Sequence, residues 1–239
     1  MQRKNSVGPS STSLALRAAL IAAIVGAIAA LLLYLLLSAG DAGAAGKGAS
    51  SELNAALAAT PDVGRGETYY ETCQACHGRD GEGASDGTVP AVGGQHYEVL
   101  VSELVAFRHA GRRDIRMENF SDRHHLADAQ AIADVAAAIA AKPGSKTPAI
   151  GDGRNLSRGA SVYVTYCSGC HGASGKGDAK RRVPRLTGQH YEYLLRQVAD
   201  LASGRRPNMK PDHAVLMPGG PMSADDVAGI SDYLSRIRR

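Results

Sequence analysis

Two stretches of this chain repeat one another in register, and that repetition constrains the fold more than any other feature of the sequence. The first reads RGETYYETCQACHG, then VPAVGGQHYEVLVSEL, then GRRDIRM; the second reads RGASVYVTYCSGCHG, then VPRLTGQHYEYLLRQV, then GRRPNM. Cys73 and Cys167, Pro90 and Pro184, and His96 and His190 are each 94 positions apart, and Gly111 and Gly204 are 93 apart. An offset held this long marks a duplicated unit of roughly 90 residues, which predicts two small domains rather than a solenoid.

Each copy alternates helix patterns with Gly- and Pro-bearing loops and shows no convincing strand, so the expected class is all-α. Gly66 to Thr72 and Gly159 to Tyr166 read as helices leading into a Cys motif. Tyr97 to His109 and Tyr191 to Ala202 read as middle helices, and Asp128 to Ala140 and Ala224 to Ile237 as terminal ones. In the last, Val227, Ile230, Leu234 and Ile237 recur at three- and four-residue spacing, the stripe that a helix buries.

From Ala18 to Leu37 run 20 residues without a charge, and as a helix they would reach about 30 Å, the thickness of a bilayer's hydrocarbon core. Arg3, Lys4 and Arg17 precede the run with no acid among them, which places the tail inside and everything after Gly40 outside. Ser38-Ala39-Gly40 offers small residues to a signal peptidase, but the run exceeds the roughly 7–15 apolar residues of a cleaved leader, so a retained transmembrane helix is expected. The expected domains are a tail and anchor over 1–40, a flexible Ala/Gly/Ser tether over 41–63, a first domain over 64–141, a linker over 142–156 and a second domain over 157–239.

All four cysteines lie in Cys73-Gln-Ala-Cys76-His77 and Cys167-Ser-Gly-Cys170-His171. Cys-x-x-Cys-His is the attachment pattern for c-type haem. Two thiols three residues apart form thioethers to neighbouring vinyl groups, and the imidazole that follows is held under the ring to bind iron. Structural zinc is disfavoured because the Cys pairs lie in separate copies, each with a His directly after it. A dithiol redox site lacks its βαβ setting, and bridging residues so close together stabilises little. Aromatics are only 5% of the chain, with no Trp and two Phe, so two covalently bound haem c groups would also supply apolar area that the cores lack. Cys73, Cys76, His77, Cys167, Cys170 and His171 are the expected attachment and proximal ligand residues.

Met117 falls between the middle and terminal helices of the first copy, in a flexible loop able to fold over the opposite haem face, and is the expected iron ligand there. Thioether ligation favours ferrous iron and suits a carrier. In the second copy Met209, Met217 and Met222 compete. Met209 lies five residues after Gly204, as Met117 lies six after Gly111, and is preferred, with Met217 in MPGG as its rival. Pro90 and Pro184 stand at equal distances from the two motifs, where a loop carbonyl accepting the imidazole N–H would fix the ring. His96 and His190, at helix starts, are expected at the surface or beside a haem propionate.

At these residues the chain resembles class I cytochromes c, and its tandem arrangement is similar to the dihaem cytochrome c4 family with an N-terminal membrane anchor added. The resemblance covers about residues 64–239 and is carried by both Cys-x-x-Cys-His motifs, the P-x-x-x-G-Q-H-Y segments, the G-R-R turns and the candidate Met residues. It implies two cytochrome c folds packed together, His and Met axial ligands at each haem, and relay of single electrons to a terminal oxidase or similar acceptor. The second copy departs from the first by one additional residue between Gly159 and Cys167, relative to Gly66 and Cys73.

The formal net charge of +4 gives no support to nucleic-acid binding, and its distribution is uneven. Residues 64–141 hold 7 bases and 12 acids, whereas residues 154–239 hold 14 bases and 7 acids. Such a dipole suits donor and acceptor docking on different domains, with the Lys176, Lys180, Arg181, Arg182 and Arg185 cluster meeting an acidic partner. Filled axial positions leave no place for a substrate, so an electron carrier rather than an enzyme is expected. Its donor would be a quinol-oxidising complex or other redox protein and its acceptor a terminal oxidase or equivalent, at the bacterial inner membrane with the soluble part in the periplasm. The competing accounts are the haem subunit of a periplasmic dehydrogenase and a dihaem enzyme such as a peroxidase.

Overall fold

The computed structural model describes residues 20, 24–32, 47–206 and 222–237, in two units that divide after Lys47. In the first unit residues 24–32 are helical, and Leu20, Ile24, Val25, Ile28, Leu31 and Leu32 are each more than half exposed. The remainder of the span expected from Ala18 to Leu37 lies outside the described residues. Among the described residues no helix is long and apolar enough to cross a membrane.

A helix over residues 47–58, here α1, opens the second unit from Gly48 onward and precedes the two repeats. Repeat 1 contains α2 (Val63–His77), α3 (Tyr97–Arg108), α4 (Ile115–Phe120) and α5 (Ala129–Ala141). Repeat 2 opens with α6 (Leu156–Val162), which runs through a π turn (Tyr163–Cys167) into α7 (Ser168–His171), followed by α8 (Tyr191–Ala202) and α9 (Ala224–Arg236). Among the described residues β structure is limited to an isolated bridge between Asp178 and Val183. The expected all-α class holds.

Short polar side chains set the helix starts. The Asp62 carboxylate accepts from the Arg65 amide at 3.0 Å and the Asp128 carboxylate from the Ala131 amide at 2.9 Å, while Ser223 and Asp226 form a reciprocal capping box. At the other end, Gly78 (φ 78°) and Gly172 (φ 76°) follow the two motif histidines and turn the chain sharply away, a conformation that suits glycine.

In each repeat the motif-bearing helix crosses the terminal helix at a glycine. A Cβ on Gly66 would lie 2.1 Å from the Asp134 carbonyl oxygen, and one on Gly159 would lie 2.0 Å from that of Gly229. Backbone therefore rests on backbone at both crossings. Tyr70, Leu100, Val101, Leu104, Ile132 and Val135 fill the first core, and Val162, Tyr163, Leu194, Ile230 and Leu234 the second. The additional residue of the second copy is absorbed by the π turn, so the offset is 93 at the crossing glycine and 94 at the cysteine.

Two segments differ from expectation. Residues 47–58, expected within a flexible tether, form α1, which lays Ala49, Leu53, Ala56 and Leu57 on the first core. Buried Glu52 on the same helix meets Arg108 at 2.5 Å, His109 at 2.7 Å and Arg123 at 3.0 Å, and the Tyr97 hydroxyl donates to the Ala56 carbonyl at 3.1 Å. Its small apolar residues resemble a linker in composition but stand at helical spacing. The loop expected around Met117 is helix α4, started by the Asp114 carboxylate, which accepts from the Arg116 and Met117 amides at 3.0 and 3.2 Å.

Candidate haem centres and the joint between them

Each Cys motif occupies the last turns of a helix, so its cysteines and histidine are presented from a rigid element. All four cysteines are free thiols; Cys73 and Cys167 are half-buried and Cys76 and Cys170 exposed. Burial pushes the Cys73 and Cys167 thiols up to about 11. The His77 Nδ1–H donates to the Pro90 carbonyl at 3.0 Å, and the His171 Nδ1–H donates to the Pro184 carbonyl at the same 3.0 Å. These are the loop carbonyls expected from the position of the prolines. With the proton fixed on Nδ1, the Nε2 lone pair of each ring is left for iron.

Burial lowers the His77 pKa; the Pro90 bond opposes that, the Arg116 charge adds to it and the Asp114 charge opposes it. The net direction favours the neutral ring that a metal requires. The Tyr70 hydroxyl donates to the Gly78 carbonyl and the Tyr163 hydroxyl to the Gly172 carbonyl, both at 2.6 Å, so the turn after each histidine is pinned from the core. Burial raises the pKa of Tyr70 and pushes that of Tyr163 up to about 12, which keeps both hydroxyls protonated as donors.

Met117 packs on the same core cluster as Cys73. Met209 and Met217 lie outside the described residues. Met222, directly before the Ser223 cap, packs against the second core.

The two repeats meet through a pseudo-twofold exchange that pattern reading had missed. The Gln95 side chain donates to the Arg185 carbonyl and accepts from the Arg185 amide, both at 2.9 Å. The Gln189 side chain does the same with the Ala91 carbonyl and amide, again at 2.9 Å. Both glutamines and both clasped residues are 94 apart, so one contact is the rotated copy of the other. Their signal was the G-Q-H-Y run, kept in both copies where neighbouring positions diverge.

His96 and His190, expected at the surface or beside a propionate, are part of this joint. The His96 Nε2–H donates to the Lys176 carbonyl at 2.7 Å, and the His190 Nε2–H to the Glu82 carbonyl at 2.8 Å. Nδ1 of the buried His190 accepts from the Ala149 amide at 3.1 Å, which fixes its neutral tautomer. At the rim, Arg112 donates to Gln197 at 2.9 Å and Arg206 to Glu103 at 3.0 Å, again at positions 94 apart.

Two thiols and one pre-oriented imidazole per repeat are the donor set that haem c takes, and no bond between the thiols stands in its way. The comparisons agree. The Cytochrome c family model matches residues 63–146 and again residues 156–238. A cytochrome c4 of Thiocapsa roseopersicina is 33% identical over 193 residues, spanning 75% of this chain and 96% of the relative. The crystal structure of reduced recombinant cytochrome c4 from Pseudomonas stutzeri superposes with a TM-score of 0.64 at 25% identity, over 75% of this chain and all 100% of that one. A thiosulfate dehydrogenase from Marichromatium purpuratum matches with a TM-score of 0.61 at 25% identity, over 73% of this chain and 40% of its own. Two matched domains, each with its thioether motif and a proline-held imidazole, place this chain in the cytochrome c4 family as an electron-transfer cytochrome with two covalently bound haem c groups.

Proposed function

We propose that this cytochrome is a membrane-tethered carrier that relays single electrons between redox partners on the outer side of the bacterial inner membrane, toward a terminal oxidase or comparable acceptor. The observation that carries this reading is the coupling of both proximal ligands to one joint. Pro90 and Pro184 hold the two imidazoles, and the residues directly after them, Ala91 and Arg185, are the ones clasped by the opposite glutamine. The two iron sites are thereby held at a set separation, as a relay requires.

With haem bound, Met117 and Met209 would supply the second protein ligand to each iron, with Met217 as the alternative to Met209. Haem, when bound, supplies one-electron iron chemistry; the side chains attach it, orient its ligands and keep other molecules from the iron. The uncharged run from Ala18 to Leu37 and its basic leader support the tether. Exposed Leu20, Ile24, Val25, Ile28, Leu31 and Leu32 leave apolar surface for lipid to cover. Of the expected basic cluster, Arg185 is drawn into the joint, while Lys176, Lys180, Arg181 and Arg182 follow the second motif, with an Arg181 nitrogen 3.8 Å from the Cys170 sulfur, and receive an acidic partner.

The test is spectroscopic. Reduced, matured protein exposed to carbon monoxide keeps its spectrum if both irons are closed, and electrochemical titration gives two one-electron waves. Ready binding of carbon monoxide at either iron would move the assignment to an enzyme. The likeness to the thiosulfate dehydrogenase supports a second reading, the haem-bearing part of a larger dehydrogenase. Co-purification with a catalytic chain and thiosulfate-dependent reduction of that complex would favour it.

A further inference from the structure

Among the described residues three buried side-chain atoms lack a hydrogen-bond partner, Arg185 Nε, Thr187 Oγ1 and Arg206 Nε, and all three belong to repeat 2. Leaving a buried donor unmade costs about 1–3 kcal/mol, so such a grouping calls for an acceptor. Arg185 and Thr187 flank Leu186, which packs against the second core together with Cys167, on the loop whose Pro184 carbonyl holds His171. Thr187 is only 2% exposed. Arg206 reaches the joint through Glu103 and its side chain is 16% exposed.

Repeat 1 has no equivalent of the Arg185 and Thr187 side chains. Ala91 stands at the position matching Arg185 and Gly93 at the position matching Thr187. Arg112, the counterpart of Arg206 at the 94-residue offset, is about as buried, and its guanidinium is taken by Glu103, Tyr193 and Gln197. The two halves thus share backbone, proximal ligands and joint, yet differ in the donors set around the second proximal loop.

We propose that Arg185 and Thr187 form a carboxylate cradle that takes a propionate of the second haem and has no counterpart at the first. The inference rests on the dihaem assignment. A guanidinium on that carboxylate offsets negative charge near one iron and so favours its ferrous state; the other iron lacks this contribution.

The experiment is spectroelectrochemical titration of the full-length, haem-loaded protein as wild type, Arg185→Ala, Arg185→Lys and Thr187→Val. The expected result is that Arg185→Ala moves one of the two midpoint potentials downward and leaves the other in place. Arg185→Lys should restore most of that shift, and Thr187→Val should move the same wave downward by a smaller amount. Unchanged potentials, an upward shift or an equal shift of both waves in the variants would overturn the cradle. Should Arg185→Ala fail to mature, the Thr187→Val titration decides by the same criterion. Absence of two waves in the wild type would instead overturn the dihaem reading itself.

Discussion

Gln95 and Gln189 each bracket the residue after the opposite repeat's proline, taking its carbonyl and its amide at 2.9 Å, so the two proximal loops are fastened to each other's domain. Replacing either glutamine by leucine strands one amide and one carbonyl of the facing loop, at a cost of about 1–3 kcal/mol. Guanidinium denaturation followed separately at each haem should show one shared transition in the wild type. In Gln95→Leu/Gln189→Leu the two halves should unfold at different denaturant concentrations; a single unshifted transition would contradict the joint.

At the helix crossings, Gly66→Ala and Gly159→Ala each force a methyl against a carbonyl oxygen about 2 Å away. Overpacking of this kind costs about 1–3 kcal/mol and sometimes more. Thermal melts of the matured variants should fall accordingly. Gly111→Ala, whose Cβ would come no nearer than 3.6 Å to a neighbouring atom, serves as the control and should melt near the wild type.

Acid should loosen both repeats. The Arg158 guanidinium and the Ser223 hydroxyl hold Asp226 at about 2, and although burial opposes it, the His109 and Arg108 partners of Glu52 bring that carboxyl below its ordinary value. Folded pKa values depressed below the unfolded ones mean stability present above about pH 4 and lost as pH falls toward 2. Unfolding free energy measured between pH 5 and pH 2 should drop steeply in the wild type and less steeply in Asp226→Asn. Equal slopes would remove Asp226 from the account.

Met117→Ala should open one iron. The reduced variant is expected to bind carbon monoxide at a single haem and to show a lowered potential there, because a thioether ligand favours ferrous iron. Met222→Ala, which changes a residue packed on the second core, should leave both irons closed. Comparing Met209→Ala with Met217→Ala by the same measurement assigns the second ligand.

Charge reversal of Arg181 and Arg182 to Glu should slow electron exchange with an acidic protein partner at least tenfold at low ionic strength, with the difference shrinking as salt is added. Stopped-flow rates that ignore both the substitutions and the salt would remove this surface from partner docking.

Much of the fold was legible because the information lay in local repeats: a motif, an apolar stripe, a proline at a constant offset. Tyr191–Ala202 appears as read, and Pro90 and Pro184 do what their spacing implied. Helix α1 was hidden because its stability comes from elsewhere in the chain, through Glu52 and its partners on and after α3. Helix α4 has only six residues, too few to show a periodicity. Gln95 and Gln189 were overlooked for a different reason: they act on loops 90 and 98 residues distant, and no pattern within one copy reports on a contact between copies.

The clasp between the proline loops is complementary to its own rotated image. Either half of the chain, made alone, carries a glutamine to give and a loop to receive, so two loose copies possess every group this exchange requires. The covalent connection between the halves therefore raises their effective concentration rather than adding new chemistry to the pairing.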